Sequence, residues 1–425
     1  MNYFIKNIHV NKLLHLENFD IPIADGKYSH LIITGKNGSG KTILLNAITD
    51  FLDRLKFAWL YIATKGGNLE LVKEELCKVE DLKQNNLFDL TNPDFIADSI
   101  FKESKNTRAQ EWQDFFNIVS LDFFDIQHFT QKYKEGNFIL AFYEAYRKTD
   151  IIEPSNPEKP EFKSRKNARI KSTDQFLRFL SDLKVQEALA RNEKQIEDAN
   201  KIASWFKNFE GLLQRIYQDD TLKLEFNYRD YSFIICTEGK RFKFTELADG
   251  FAAVLDIVAD LILKMQDANS LTRIYDKEGI VLIDEIETHL HLALQKIIMP
   301  ILTEIFPNIQ FIITTHSPFV LSSMPNAVAY DLEHKKPIED LTNYSYEALA
   351  EGYFGVRAES SDVRRRLNKM KEILGKEELT PSEKESMKLY IKDFDSIPEA
   401  VSPSLIGEYL QLKLKYVDKI KELIQ

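Results

Sequence analysis

Two hydrophobic patterns alternate along the chain, and each is typical of a different element. Short runs of apolar and β-branched residues predict buried strands, such as HLIIT at 30–34. The runs at 279–283 and 309–314 have the composition of central parallel strands. Apolar residues spaced three and four apart predict amphipathic helices at 42–52 and 290–306. Together these patterns predict an α/β fold built on a mixed sheet with a parallel core.

Changes in this pattern predict how the chain is organised. Residues 1–52 and 223–335 contain most of the predicted strands and are expected to form the N-terminal and C-terminal parts of one core. Residues 53–222 have a mostly helical pattern and are expected to form an insertion, although NFILAFYEAY at 137–146 predicts a buried strand inside it. Residues 336–425 are expected to form a helical C-terminal region.

Composition and charge narrow the class of protein. The chain has 425 residues, with 56 basic and 66 acidic side chains and a formal net charge of −10. This balance argues against a protein that coats nucleic acid over its whole surface, but it allows a local basic patch. Its two cysteines cannot form a disulfide framework. Because no signal peptide and no run of 18 apolar residues is visible, the expectation is a cytoplasmic protein without a membrane span.

A glycine-rich turn between a predicted strand and a predicted helix carries the strongest chemical signal. It matches the phosphate-loop pattern G-x-x-x-x-G-K-[ST], in which backbone N–H groups cradle phosphate oxygens. The lysine is expected to neutralise the β- and γ-phosphates and the threonine hydroxyl to bind Mg²⁺, while the helix N-terminus adds its dipole. The loop consists of Gly35, Lys36, Asn37, Gly38, Ser39, Gly40, Lys41 and Thr42.

Two later strand ends add candidate catalytic groups. Asp284 and Glu285 directly follow the strand at 279–283, where one acid can hold Mg²⁺ and the next can polarise an attacking water. His316 follows the next buried strand, from which a histidine can contact the γ-phosphate and report its presence. The candidate catalytic residues are therefore Glu285, His316 and Lys41, and the candidate Mg²⁺ ligands are Thr42 and Asp284.

The motifs and their order along residues 1 to about 335 resemble those of ABC-type, RecF/SMC-like P-loop ATPases. VLIDEIETHLH and ITTHSPFVLSS are close to a narrower group, the ATPase subunits of anti-phage defence systems such as Septu, the retrons and PARIS. The resemblance implies an ABC-type nucleotide-binding domain that hydrolyses ATP with Mg²⁺, and a dimer that encloses two ATP molecules. TELADGF at 245–251 matches the signature segment, which implies contacts to the nucleotide of a second subunit from Leu247, Ala248, Asp249 and Gly250.

The chain departs from the family pattern in three places. Ala248 and Asp249 stand at the usual serine and first glycine of the signature, so its contact must rely on backbone N–H groups and Gly250. No glutamine of the Q-loop follows the predicted strand at 137–146, where Arg147 stands instead. The sequence between the phosphate loop and the signature lacks sustained heptads, so we expect a compact helical insertion there and not a coiled coil.

Three weaker features allow other interpretations. The segment 159–171 holds six basic residues against one acid, which is compatible with a nucleic-acid contact or with a solvated loop. The pair His289 and His291 has metal-ligand character, but a packed loop is favoured because no cysteine lies nearby. Glu351 with Asp393 and Asp395 superficially matches a Toprim nuclease, although 387–392 lacks the apolar strand that such a domain needs.

The leading hypothesis is an ATPase that acts as sensor or regulatory scaffold of an anti-phage defence complex. Its expected partners are a second copy of itself and an effector, with a nuclease encoded in the same operon as the expected effector. The first alternative is a RecF-like DNA-repair or DNA-organising ATPase that binds DNA directly through 159–171. The weaker alternative is an OLD-like nuclease with a degenerate C-terminal Toprim domain.

Overall fold

The computed structural model describes most of the chain, and it separates into two units. The described residues are 4–23, 28–55, 117–147, 151–154, 156, 159–161, 168–266, 276–324, 326–338, 361–376, 378–397 and 403–424. The first unit covers residues 1–343 and the second covers residues 344–425.

A mixed six-stranded sheet forms the centre of the first unit. Its strand order is β12-β11-β3-β10-β9-β5. All neighbouring strands of this sheet pair in parallel except β12, which pairs antiparallel with β11. The predicted α/β fold and its parallel core are therefore confirmed. The strands are β3 (His30–Thr34), β5 (Phe138–Tyr143), β9 (Glu278–Ile283), β10 (Ile309–Thr314), β11 (Ala327–Asp331) and β12 (Lys336–Ile338).

Two smaller antiparallel sheets complete the strands of this unit. One has the order β2-β1-β4 and the other the order β6-β7-β8. Both β4 and β5 come from 53–222, so part of the predicted helical insertion belongs to the sheets. The strands are β1 (Ile5–Leu13), β2 (Leu16–Pro22), β4 (Val119–Phe123), β6 (Lys223–Asn227), β7 (Ser232–Thr237) and β8 (Lys240–Lys243).

The helices of the first unit cover the sheets with faces of apolar residues. In the first helix, Leu44, Leu45, Ile48 and Phe51 are all buried, as their spacing predicts. The helix that follows the signature segment is buried almost all round. These helices are α1 (Lys41–Leu55), α2 (Ile126–Lys134), α3 (Phe176–Asn192), α4 (Ile196–Tyr217), α5 (Asp249–Met265), α6 (Leu292–Ile305) and α7 (Pro318–Leu321).

The second unit is a small helical bundle around its own apolar core. Its helices are α8 (Ser361–Leu374), α9 (Pro381–Asp395), α10 (Pro403–Lys415) and α11 (Val417–Ile424). Leu367, Met387 and Tyr409 are among the side chains that form the core.

The pattern of a Toprim nuclease is not realised in α9. Residues 387–392 are helical, so they do not form the strand that would present the two aspartates. Asp393 accepts a hydrogen bond from Arg366 at 2.8 Å, and Asp395 accepts one from Tyr409 at 2.7 Å. Glu351 lies outside the described residues. The nuclease alternative is therefore weakened, because Asp393 and Asp395 lie on a helix and not at the end of a strand.

An ion triad crosses the β2-β1-β4 sheet and predicts a pH-dependent stability. His9 on β1 lies between Asp20 on β2 and Asp122 on β4. Its Nδ1 is 2.7 Å from Asp20 Oδ1, and its Nε2 is 2.8 Å from Asp122 Oδ2. Two carboxylates can only accept, so both ring nitrogens must carry a proton to satisfy them. Burial alone would lower the pKa of His9, but the hydrogen bonds and charges of Asp122 and Asp20 raise it above its ordinary value.

We therefore expect the triad to stabilise the fold in its protonated state. Because the folded pKa of His9 is raised, its contribution is fully present below the unfolded pKa of about 6.5 and is lost as pH rises through the folded value. Since the three side chains are partly exposed, about 1 kcal/mol or less is expected. Urea unfolding at pH 6 and pH 9 should show that His9→Gln destabilises the protein at pH 6 and has little effect at pH 9. An equal effect at both values would contradict the assignment.

Candidate functional site

The phosphate loop connects β3 to α1 in a conformation that requires its glycines. Gly35, Gly38 and Gly40 have φ angles of 141°, 82° and 97°, a region that side chains disfavour. A Cβ on Gly40 would also lie 2.9 Å from Leu16 Cδ1, so a larger residue there would have to displace that side chain. The loop is thus shaped by its own sequence and by the neighbouring β1–β2 turn.

Two polar groups of the loop, the Lys41 ammonium and the Ser39 hydroxyl, have no acceptor side chain as a hydrogen-bond partner in the described structure. Lys41 is buried, and its Nζ donates to the carbonyl oxygens of Gly35 at 2.8 Å and Lys36 at 3.1 Å. Burial lowers the pKa of Lys41, and the charges of Glu285 and Asp284 oppose this shift. The buried hydroxyl of Ser39 has no hydrogen-bond partner among the described residues. An ammonium that bonds only loop carbonyls and an unpaired buried hydroxyl fit a phosphate group.

The end of β9 is tied to the phosphate loop through Asp284. This carboxylate is 3% exposed, and its Oδ2 accepts a hydrogen bond from Thr42 Oγ1 at 2.8 Å. Its Oδ1 accepts one from Thr314 Oγ1, at the end of β10, at 2.6 Å. A buried carboxylate beside a hydroxyl is a donor set that suits Mg²⁺. The structure therefore brings together the two predicted Mg²⁺ ligands, Thr42 and Asp284.

Glu285 lies in a strained turn beside this pair. Its φ angle is 41°, in the left-handed region that a non-glycine residue rarely adopts. Its backbone N–H donates to Thr314 Oγ1 at 2.7 Å, so Thr314 fixes both acids. The guanidinium of the buried Arg147 donates to the carbonyl oxygens of the same turn.

Glu287 joins this turn to the segment that carries His316. Its carboxylate accepts hydrogen bonds from Thr315 Oγ1 at 2.7 Å and from the backbone N–H of His316. Burial raises the pKa of Glu287. Burial and the charge of Lys41 lower the pKa of His316, and the charges of Glu285 and Asp284 oppose this shift. Sequence reasoning missed Thr314, Glu287 and the contacts of Arg147, although Glu287 and Thr314 stand inside the motifs that were recognised.

The signature segment packs against the loop that follows Glu285. Asp249 and Gly250 begin α5, with Leu247 and Ala248 directly before them. A Cβ on Gly250 would lie 2.8 Å from the carbonyl oxygen of His289, so only glycine permits this approach. The contact of this segment with the nucleotide of a second subunit stays a prediction.

The two histidines of the packed loop have structural contacts. His291 Nδ1 accepts a hydrogen bond from Leu294 N at the start of α6, and its ring lies 5.7 Å from that of Phe251. Neither histidine belongs to a group of three potential metal ligands among the described residues. The group found there is Asp331, Glu333 and His334, of which Glu333 already accepts a hydrogen bond from Lys36.

Part of the basic segment 159–171 is bound within the protein. Arg169 donates to Asn46 at 2.7 Å and to Asp50 at 2.9 Å, both on α1. Lys171 forms an ion pair with the buried Asp256 of α5 at 2.5 Å. Residues 162–167 lie outside the described part. The charges of Arg169 and Lys171 thus hold the end of the segment against two helices, and a nucleic-acid contact of 159–171 stays a prediction.

The match to a known protein family lies within the first unit. A family model described as "AAA domain, putative AbiEii toxin, Type IV TA system" matches residues 31–322. "Retron Ec83 probable ATPase" of Escherichia coli is 47% identical over 77 residues, which are 18% of this chain and 14% of that protein. "Septu protein PtuA" of Bacillus mycoides (strain KBAB4) is 39% identical over 95 residues, 22% of this chain and 13% of that protein. The matching segments thus span less than a fifth of these relatives.

Among solved structures, an SMC head bound to the C-winged helix domain of ScpA aligns with 79% of this chain and 96% of that chain. The sequence identity is 13% and the TM-score is 0.36. Among the described helices, none is long and apolar enough to cross a membrane.

Proposed function

This chain belongs to the AAA-domain family whose model it matches, and we propose that it binds ATP with Mg²⁺ and hydrolyses it to ADP and phosphate. The resemblance to retron and Septu ATPases is confirmed by the relatives. The observation that carries the proposal is the hydrogen-bonded series from Thr42 through Asp284 and Thr314 to Glu285. It brings the ends of two strands and the phosphate loop together at one edge of the sheet, where α/β proteins bind their ligands.

The residues at this edge divide the work of binding. The backbone N–H groups of 35–42, the Ser39 hydroxyl and the Lys41 ammonium hold the β- and γ-phosphates. Thr42 and Asp284 would hold Mg²⁺, which supplies positive charge against the phosphate oxygens. Asp284 is suited to this role because its carboxylate is fixed by two hydroxyls and cannot turn away.

Glu285 and His316 are proposed to act on the reacting groups. Glu285 accepts a proton from the water whose oxygen attacks the γ-phosphorus, while the bond from that phosphorus to the bridging oxygen of ADP breaks. The ring of His316 can donate a hydrogen bond to the γ-phosphate, and Glu287 fixes the backbone from which it extends. Removal of the γ-phosphate would remove that bond.

The biological role that we propose is control of a partner effector in an anti-phage defence complex. Support comes from the relatives, which are named as a retron ATPase and a Septu protein. An effector nuclease and a second copy of this chain are the proposed partners, with 247–250 facing the nucleotide of that second copy. Direct DNA binding loses support because Arg169 and Lys171 are engaged with α1 and α5.

The proposal is tested in two steps with purified protein. Phosphate release from ATP should require Mg²⁺ and stop in EDTA, and absence of any hydrolysis would refute the enzymatic step. Co-expression with the product of the neighbouring reading frame should then give a complex on size-exclusion chromatography whose nuclease activity differs between ATP and ADP. A nuclease that neither binds nor responds would refute the regulatory role alone.

A further inference from the structure

Arg147 is a buried cation that holds the backbone of the turn carrying Glu285. It follows β5 and is 6% exposed. Its Nη2 donates to the carbonyl oxygen of Asp284 at 2.7 Å and to that of Glu285 at 2.8 Å, and its Nη1 lies 3.4 Å from that of Ile286. A planar guanidinium can span consecutive carbonyls in this way, whereas an ammonium on a flexible stem cannot.

The turn is held from the opposite side by another strand. Thr314 of β10 accepts from the N–H of Glu285 and donates to the carboxylate of Asp284. The left-handed backbone of Glu285 persists only where its surroundings enforce it. Arg147 and Thr314 supply that enforcement from β5 and β10, the two strands that flank β9.

Holding this turn requires Arg147 to remain charged in the interior. Burial lowers its pKa to about 10, which is still well above neutral pH, and the charges of Glu287, Asp256, Asp284 and Glu285 oppose that shift. Its Nε has no hydrogen-bond partner among the described residues. A buried donor without a partner destabilises the fold, and the hydrogen bonds of the two Nη atoms are the contacts that hold the guanidinium in place.

We propose that Arg147 is a positioning residue that aims the carboxylate of Glu285 at the attacking water. It acts through the carbonyl oxygens of 284–286. The inference rests on the proposed role of Glu285 as the base. Arg147 also stands where the family pattern places the glutamine of the Q-loop.

Kinetics of two variants test this role. Arg147→Met should lower kcat by about 10- to 100-fold, because a displacement of about 1 Å at a catalytic group has an effect of that size. KM should stay within about threefold, since the phosphates are held by the loop. Arg147→Lys should recover part of kcat because its ammonium can still reach one carbonyl. The matched control is Arg215→Met, which removes an exposed ion pair with Glu304 and should change neither parameter.

A double variant separates positioning from general support of the fold. If Arg147 acts through Glu285, adding Arg147→Met to Glu285→Gln should lower the residual rate by less than about threefold. A loss as large as in the wild-type background would overturn the inference. If Arg147→Met does not unfold cooperatively, the kinetics of Arg147→Lys are used instead. A wild-type kcat in Arg147→Lys also overturns the positioning role of Arg147. A wild-type protein without hydrolysis would instead refute the proposed function.

Discussion

A Glu285→Gln variant is expected to bind ATP about as tightly as the wild type and to lose about 10²- to 10⁴-fold in kcat. Glutamine has nearly the same shape as glutamate, but its amide cannot accept the proton of the attacking water. Thr314 and Arg147 hold the backbone of residue 285, so the substitution should leave the turn in place. Calorimetric titration with ATP gives the affinity, and phosphate release gives kcat.

The same variant should retain the assembled state after ATP is added. If two chains enclose two nucleotides, blocked hydrolysis should keep them together, and mass photometry should show more dimer than in the wild type. Glu304→Gln is the control, because that glutamate is exposed on α6 and pairs only with Arg215 in the described structure. Unchanged turnover in Glu285→Gln would mean that another group is the base.

A Lys41→Met variant is expected to bind ATP about 100-fold more weakly, a change of about 2.7 kcal/mol. Its ammonium is buried in the phosphate loop, where low solvent exposure strengthens its attraction to a phosphate. Methionine keeps the length of the side chain and removes the charge. The rise in melting temperature that ATP causes in the wild type should therefore nearly vanish in the variant at the same ATP concentration.

Lys201→Met provides the matched control for this measurement. Lys201 lies on α4, is about half exposed and pairs with Asp198, so its loss should leave the ATP-induced shift unchanged. A Lys41→Met protein that keeps a full thermal shift would show that the nucleotide binds elsewhere. Together with Glu285→Gln, this variant separates loss of binding from loss of the chemical step.

Long-range contacts explain what the sequence left open about its charged segments. The basic character of 159–171 is visible in one short segment, but the acid that binds Lys171 lies 85 positions later on α5. A local pattern cannot tell a cation that is free for DNA from one that is paired inside the fold. The partners of Asp393 and Asp395 are likewise distant in sequence, because Arg366 and Tyr409 come from other helices.

The sequence by itself determined the phosphate loop, the parallel core and the acids of 284–285. These features are local, because they depend on residues that are close in sequence: the glycines of the loop, the apolar runs of the strands and the spacing of GKT. Only the tertiary structure decided that β4 and β5 belong to the sheets, and that Arg147, Thr314 and Glu287 support the candidate site. Parallel strands distant in sequence end at one edge of a sheet, and hydrogen bonds across that edge depend on distances that no linear pattern encodes.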